Sequence, residues 1–237
     1  MESIGTLRFL SRYPVKGMMG EDLKVARVSR HGIAGDRVFA FVDENSQNEK
    51  FPWMTARQRN EMILFKPRFL DPSHEFTKVE ILTPEGSAYN LPSIEFEEYL
   101  QRRFQNQLRL QYSDEGMKDS KPLSMLGLQT LDALKIELGL DLLRHERFRE
   151  NFYVQWEDRC PYYENELVGK SLKIGEAIVK IDKKNGRCVV PTLDPDNAAS
   201  SSEILEIIKR NHDGCFGVYG VPEREGEVRV GDSVFLI

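Results

Sequence analysis

The sequence has few cysteines and lacks the signatures of several common enzyme classes. Its three cysteines, Cys160, Cys188 and Cys215, are odd in number and widely separated, so neither a disulfide framework nor a CxxC zinc site is indicated. No GxGxxG, GxxxxGKS or GxxxxGKT sequence is present, which removes support for dinucleotide-binding and P-loop functions. The GxSxG of a serine-hydrolase nucleophile elbow is also missing.

Histidine pairs, long apolar runs and excess positive charge are missing as well. The histidines at positions 31, 74, 145 and 212 show no HxxxH spacing, which argues against a histidine-built zinc site. No apolar run approaches the roughly 20 residues that span a bilayer, and residues 1–10 do not resemble a signal peptide. The net charge of -5 gives no indication of a nucleic-acid or membrane partner. The odd number and wide spacing of the cysteines favour a reducing compartment, so we expect a cytoplasmic protein.

The first part of the chain has the patterns of β-strands. Alternating apolar residues predict strands at 23–28 and 38–43, and the apolar run at 63–69 predicts another. Residues 79–86 read as a strand followed by a hairpin turn. Further strands are predicted at 148–156 and 177–181, the latter pairing with a strand that holds Cys188.

Three helices interrupt these strands. In the first, Ser93 is the expected N-cap, and the apolar stripe comprises Phe96, Tyr99, Leu100, Phe104 and Leu108. Ser124 is the expected N-cap of the second helix, which would end near Gly139, and the third would end near Gly214. The sequence therefore predicts a mostly β protein with inserted helices, and a barrel rather than a sandwich or an α/β sheet.

The stretch RCVVPTLDPD, residues 187–196, is the best candidate for a chemical role. Cys188 follows a cation and precedes a loop that Pro191 and Pro195 stiffen. A thiolate is both a nucleophile and a soft metal ligand, and neighbouring cations favour it. The alternative is that Cys188 is a small buried apolar residue, as most free cysteines are.

Several polar residues beside glycine turns or strand ends could bind an oxyanion such as phosphate. The cations are Lys16, Arg37, Arg57, Arg147, Arg149 and Arg187. Ser124 adds a hydroxyl donor, and Asn151 supplies a donor and an acceptor that need partners if buried. Each residue alone could instead be a solvated charge or a helix cap, so only their occurrence together with Cys188 indicates a site.

Taken together, these motifs resemble the MOSC family, named for the C-terminal domain of molybdenum cofactor sulfurase. The matching segments, in order, are YPVK at 13–16, GIAGDR at 32–37, TARQ at 55–58, LSML at 123–126, RFRENF at 147–152, RCVVPTLDPD at 187–196, FGVY at 216–219 and VGD at 230–232. Four positions depart from the family pattern: Gly17 replaces a serine, Glu150 replaces a proline, and Asn197-Ala198 replaces Thr-Gly.

The resemblance implies a MOSC-type β-barrel, with an N-terminal β part at residues 1–90 and a MOSC domain at 91–237. It implies that the protein binds the molybdenum cofactor, with Cys188 as the thiolate ligand to molybdenum and Asp194 as a second catalytic residue. The residues expected to hold the pterin and its phosphate are Lys16, Arg37, Arg57, Ser124, Arg149 and Asn151.

The leading functional hypothesis is a molybdenum-dependent oxidoreductase that reduces small N-hydroxylated compounds. It would require an external electron-donor protein, because the sequence encodes no iron–sulfur cysteine cluster and no flavin motif. Three alternatives stay open: a molybdopterin carrier without turnover, a sulfur carrier with a persulfide on Cys188, and a barrel in which Cys188 is only a core residue.

Overall fold

The computed structural model describes residues 2–71 and 76–237, and within these ranges strands predominate. His74 lies outside the described residues. The first half contains β1 (Ser3–Arg12), β2 (Glu21–Asp22), β3 (Val25–Ser29), β4 (Gly32–Ile33), β5 (Phe39–Asp43), β6 (Trp53–Met54), β7 (Lys66–Phe69), β8 (Val79–Leu82), β9 (Ala88–Leu91), α1 (Ile94–Phe104) and β10 (Leu108–Tyr112). The second half contains β11 (Leu123–Gly127), α2 (Leu128–Glu137), β12 (Phe152–Trp156), β13 (Ser171–Ile174), β14 (Ala177–Gly186), α3 (Ser202–Asn211), β15 (Cys215–Arg224), β16 (Gly226–Arg229) and β17 (Ser233–Leu236).

Seven strands form a closed barrel in the order β12-β11-β15-β14-β13-β17-β1, and β1 pairs with β12 to close it. The closing pair is antiparallel, with Gly5 opposite Trp156 and Leu10 opposite Phe152. Within the barrel, β11 and β12 run parallel. The prediction of a mostly β protein with inserted helices and a barrel is confirmed, whereas the predicted division between residues 90 and 91 stays a prediction.

Three apolar clusters hold the barrel and its additions together. The barrel strands supply one, which includes Leu7, Phe152 and Val218. The first-half strands pack against α1 in a second cluster around Phe41 and Phe96. The third cluster joins α2 and α3 to barrel strands β11, β12 and β15. Burial of these apolar surfaces stabilises the barrel and the strands and helices that pack around it.

Two strand predictions and one helix prediction were wrong in extent. Residues Asn60–Leu64 form a 3₁₀ turn, so only Lys66–Phe69 of the predicted strand pairs in a sheet. A second 3₁₀ turn, His145–Phe148, delays the strand predicted from residue 148, because Arg149 has a left-handed backbone. Helix α1 ends at Phe104 because Gln105 is also left-handed, so Leu108 lies in a strand.

The second helix also starts later than predicted. Ser124 lies in β11, whose five residues are all buried between β12 and β15, and α2 begins only at Leu128. The carboxylate of Glu164, which is distant in sequence, accepts hydrogen bonds at the start of α2. The donors are the N–H of Gly127 at 3.2 Å and the hydroxyl of Thr130 at 3.0 Å. Pairing on both edges of β11 therefore outweighs the local capping preference of serine.

Candidate functional site

One large cavity opens where the end of β14 meets the first half of the chain. Its volume is about 680 Å³, within the usual range for a small-molecule or cofactor site. It is lined by residues 16–17, 37, 51, 55–57, 118–121, 124, 147–150, 183–188, 190–191, 215 and 219. Both halves of the chain therefore contribute to the same site.

The lining is strongly cationic, although the chain has a net charge of -5. Among the described residues, ten lysines and arginines line the cavity, against the two carboxylates Asp119 and Glu150. The cations are Lys16, Arg37, Arg57, Lys118, Lys121, Arg147, Arg149, Lys183, Lys184 and Arg187. Concave cationic surfaces focus positive potential, so the cavity is suited to an anionic ligand.

Cys188 is half-buried and lines this cavity, but it is not on a strand. β14 ends at Gly186, and its partners are β13 and β15, so the predicted pairing with a Cys188 strand was wrong. Arg187 is fixed by a 2.8 Å hydrogen bond from its N–H to the carbonyl of Gly214, and a 3₁₀ turn begins at Val190. The thiol therefore lies at a strand end, where chain direction changes and side chains can reach a ligand.

Lys16 and Arg57 converge on a single carboxylate that the sequence analysis did not single out. Asp119 forms ion pairs with both, and Lys16 Nζ also donates 2.8 Å to the carbonyl of Met117. Burial alone would raise the pKa of Asp119, but the two cations lower it to about 2. Burial would likewise lower the pKa of Arg57, yet Asp119 and the Cys188 side chain raise it. A charged network thus links Lys16 to the thiol.

Arg37 and Arg149 both stack their guanidinium groups on the ring of Tyr13. Their guanidinium carbons lie 4.8 and 4.4 Å from the ring centroid. Both arginines have left-handed backbones, with φ of 55° and 57°. Such angles cost about 1–3 kcal/mol each and persist where surrounding contacts hold them. Burial lowers the pKa of Arg149 to about 10 and raises that of Tyr13 to about 12.

Arg187 has a partner within the protein at each of its three side-chain nitrogen atoms. Its side chain forms an ion pair with Glu150 and donates to the carbonyls of Phe148 at 3.0 Å and Phe216 at 2.7 Å. Asn185 donates to the same carboxylate at 3.1 Å. The arginine that precedes Cys188 therefore supports the cavity wall.

Sequence comparison matches two family models that together cover most of the chain. The MOSC domain model matches residues 112–235, and the MOSC N-terminal beta barrel domain model matches residues 4–119. The chain belongs to the MOSC family. The resemblance inferred from the ordered motifs is confirmed, and the MOSC family is associated with the molybdenum cofactor.

A curated relative and two solved structures are similar to this MOSC chain. The mouse protein Mitochondrial amidoxime-reducing component 1 is 24% identical over 295 aligned residues, covering 100% of this chain and 84% of the relative. The YUAD protein from Bacillus subtilis is 12% identical with a TM-score of 0.49, covering 97% of this chain and 93% of that one. YiiM from Geobacillus stearothermophilus is 14% identical with a TM-score of 0.37, covering 49% and 54% of the two chains.

Most residues carried over from the MOSC motifs line the cavity, and two do not. Lys16, Arg37, Arg57, Ser124, Arg149 and Cys188 are all in its lining. Asn151 is buried behind Ser124, accepting its N–H at 3.2 Å and donating to the carbonyl of Ser11 at 3.2 Å. Asp194 lies outside and holds Arg147 at 2.6 Å. The geometry makes these two candidates for positioning the residues that reach the cavity.

The Gly17 departure from the MOSC pattern has a steric reason. Gly17 has a φ of +86°, and a Cβ there would lie 2.9 Å from the Cα of Thr55. A serine would require both segments to shift, so this chain has exchanged a hydroxyl for closer packing. Other lining residues that the motifs missed, such as Lys118 and Cys215, lie in a polar loop or at the start of β15 and have no local signature.

No helix in the described ranges has the length and apolar character needed to cross a membrane. The described residues also form no cluster of three or more metal-ligating His, Cys, Asp or Glu side chains. A metal at Cys188 would therefore need most of its ligands from a cofactor.

Proposed function

We propose that this MOSC chain binds the molybdenum cofactor, with Cys188 as the thiolate ligand to molybdenum, and reduces small N-hydroxylated compounds. The observation that supports the proposal is the position of Cys188 in a cavity of about 680 Å³ whose charged lining is mostly cationic. A phosphorylated pterin with dithiolene sulfurs needs an anion-binding wall and leaves room for one soft protein ligand. The donor set therefore fits this cofactor.

Cationic and hydroxyl side chains of the lining would hold the cofactor, and two residues outside the lining would position them. Lys16, Arg37, Arg57 and Arg149 would hold the phosphate and the pterin, with Ser124 adding a hydroxyl. Asn151 would act from behind by orienting Ser124, which donates from Oγ to its amide oxygen at 3.3 Å. Asp194 would act through Arg147, whose guanidinium it anchors at the cavity wall.

The bound cofactor would supply two-electron redox chemistry at the end of the cavity that contains Cys188. Reducing an N-hydroxylated amine to the amine and water consumes two electrons and two protons. Lys118 is a proton donor candidate, because burial lowers its pKa to about 8 and it lines the same cavity. The electrons would come from an external donor protein, since three scattered cysteines cannot ligate an iron–sulfur cluster.

Metal analysis and turnover together test the proposal. The chain is produced in a molybdopterin-competent host, and molybdenum content and the reduction of a hydroxylamine are measured with a competent reductase. We expect near-stoichiometric molybdenum and turnover in the wild type, and loss of turnover in Cys188→Ala. The matched control is Cys160→Ala, since Cys160 is exposed and does not line the cavity. Equal molybdenum and activity in both variants would rule out Cys188 as the ligand.

A sulfur-transfer role for the same thiol is the second candidate. Cys188 is half-buried rather than enclosed, and it shares the cavity with Arg57 and other cations, which suits a persulfide anion. Mass spectrometry of freshly purified protein separates the two functions, because a persulfide adds one sulfur atom to the peptide that contains Cys188. Cofactor binding without either turnover or added sulfur would instead indicate a molybdopterin carrier.

A further inference from the structure

A second cysteine opens into the cavity that contains Cys188. Cys215 is the first residue of β15, and both thiols are half-buried and part of the same lining. Cys160 is exposed and lies elsewhere. Neither the MOSC motifs nor the proposed function assigns Cys215 a role.

The sheet register brings the two cysteines close together. Gly186 is the Cα partner of Cys215 at the end of the β14–β15 pair, and the N–H of Arg187 bonds the carbonyl of Gly214 at 2.8 Å. Cys188 therefore lies two residues beyond the residue directly opposite Cys215, and both cysteines line the same cavity. Such diagonal neighbours have Cα atoms about 7–8 Å apart.

A disulfide requires the backbone at Cys188 to move towards β15. Its Cα atoms are usually about 4.4–6.8 Å apart, closer than the diagonal spacing of about 7–8 Å in a regular antiparallel pair. Cys188 lies beyond the last paired residue of β14 and before the 3₁₀ turn, so no ladder hydrogen bond of β14 has to break.

The environment of Arg187 supports the same juxtaposition. Burial lowers the pKa of Arg187 to about 10, and Tyr219, Cys188, Tyr13 and Cys215 are the groups that oppose this effect. The Arg187 guanidinium therefore interacts electrostatically with both cysteine side chains.

We propose that Cys188 and Cys215 form a reversible disulfide under hydroperoxide stress. The Cys188 thiolate attacks the peroxide, so an S–O bond forms, the O–O bond breaks and hydroxide leaves. The Cys215 thiolate then attacks the Cys188 sulfur and displaces a second hydroxide, which gives the disulfide. The two thiols are oxidised, the peroxide is reduced to two waters, and a dithiol reductant reverses the change.

The consequence for cofactor loading rests on the proposed function, whereas the disulfide itself does not. A disulfide removes the thiolate of Cys188 from ligand binding, so the oxidised chain would fail to take up molybdenum until it is reduced. A metal already bound at Cys188 would in turn prevent the disulfide. The pair would thus keep the unloaded thiol from irreversible oxidation.

Peptide mapping of the full chain tests the inference without any cofactor. Purified protein is treated with hydrogen peroxide, alkylated and digested without reduction. We expect a cross-linked peptide joining residues 188 and 215, which dithiothreitol releases and which persists in Cys160→Ser. In Cys215→Ser and Cys215→Ala we expect no cross-link and conversion of Cys188 to sulfinic acid instead.

Two results would overturn the inference. One is a wild-type chain in which Cys188 becomes sulfinic acid as fast as in both Cys215 variants. The other is a cross-link that involves Cys160 rather than Cys215. Thermal denaturation of each variant establishes that it is folded before oxidation. A cross-link in a chain that never binds molybdenum would leave this inference standing and contradict only the proposed function.

Discussion

Replacing Glu150 with glutamine tests whether the buried ion pair beneath the cavity holds the barrel together. The Glu150 and Arg187 side chains are 1% and 7% exposed, respectively. The substitution retains nearly the same shape and an acceptor oxygen but removes the negative charge. Arg187 would then be a buried cation with only neutral partners, namely the amide oxygen of the glutamine and the backbone carbonyls of Phe148 and Phe216.

Removing one partner of a buried ion pair costs about 3–5 kcal/mol. Because Arg187 borders an open cavity, where water can approach, we expect the lower end, about 3 kcal/mol. For a chain of this length, each kcal/mol lowers Tm by about 2–4 °C, so we expect a loss of about 6–12 °C.

Calorimetry or circular dichroism at neutral pH measures this shift. The matched control is Glu227→Gln, which makes the same chemical change in the exposed pair with Arg229, whose side chains are 44% and 59% exposed. Exposed pairs contribute little, so the control should stay within about 0.5 kcal/mol of the wild type. Equal Tm values for the two variants would refute the assignment of a stabilising buried pair.

Three further predictions concern acid stability, lysine reactivity and helix capping. The pKa of Asp119 is lowered from 3.8 to about 2, so its contribution is present above pH 3.8 and lost as the pH falls toward 2. Urea denaturation across this window should therefore show a shallower loss of stability in Asp119→Asn, and an unchanged slope would contradict it. Lys118, with its pKa lowered to about 8, should be acetylated at pH 8 faster than exposed Lys209, as measured by peptide mass spectrometry. Equal rates would argue against that pKa. Ser93→Ala removes the acceptor for the Phe96 N–H and should cost about 1 kcal/mol in thermal denaturation, whereas no change would show that water replaces the cap.

The sequence supported much of the fold because many of its patterns are local. Alternation at residues 177–181 correctly indicated β14, and Ser93 correctly marked the start of α1. Proline, glycine and charged residues that recur in a fixed order also indicated the MOSC family. These signals depend on neighbours within a few residues, so pattern reading can reach them.

The errors and omissions arose where distant segments decide the structure. Ser124 has the local chemistry of a cap, but it is buried in a strand that pairs on both edges. Asp119 and Cys215 join the site only because a loop and β15 fold against residues far away in sequence. Glu150 replaces a proline of the family motif, and its partner Arg187 lies 37 residues further along. No local period encodes such encounters.

The closing contact of the barrel has a consequence for any attempt to divide this protein. β1, at residues 3–12, is the barrel strand between β12 and β17. In sequence, however, most of the first half of the chain separates β1 from the other barrel strands. A fragment that starts at residue 91 would lack β1, so the barrel would be open between β12 and β17. The unpaired edges of these two strands would tend to pair with strands of other molecules. The first dozen residues, supplied as a separate peptide, would be the natural complement for such a fragment.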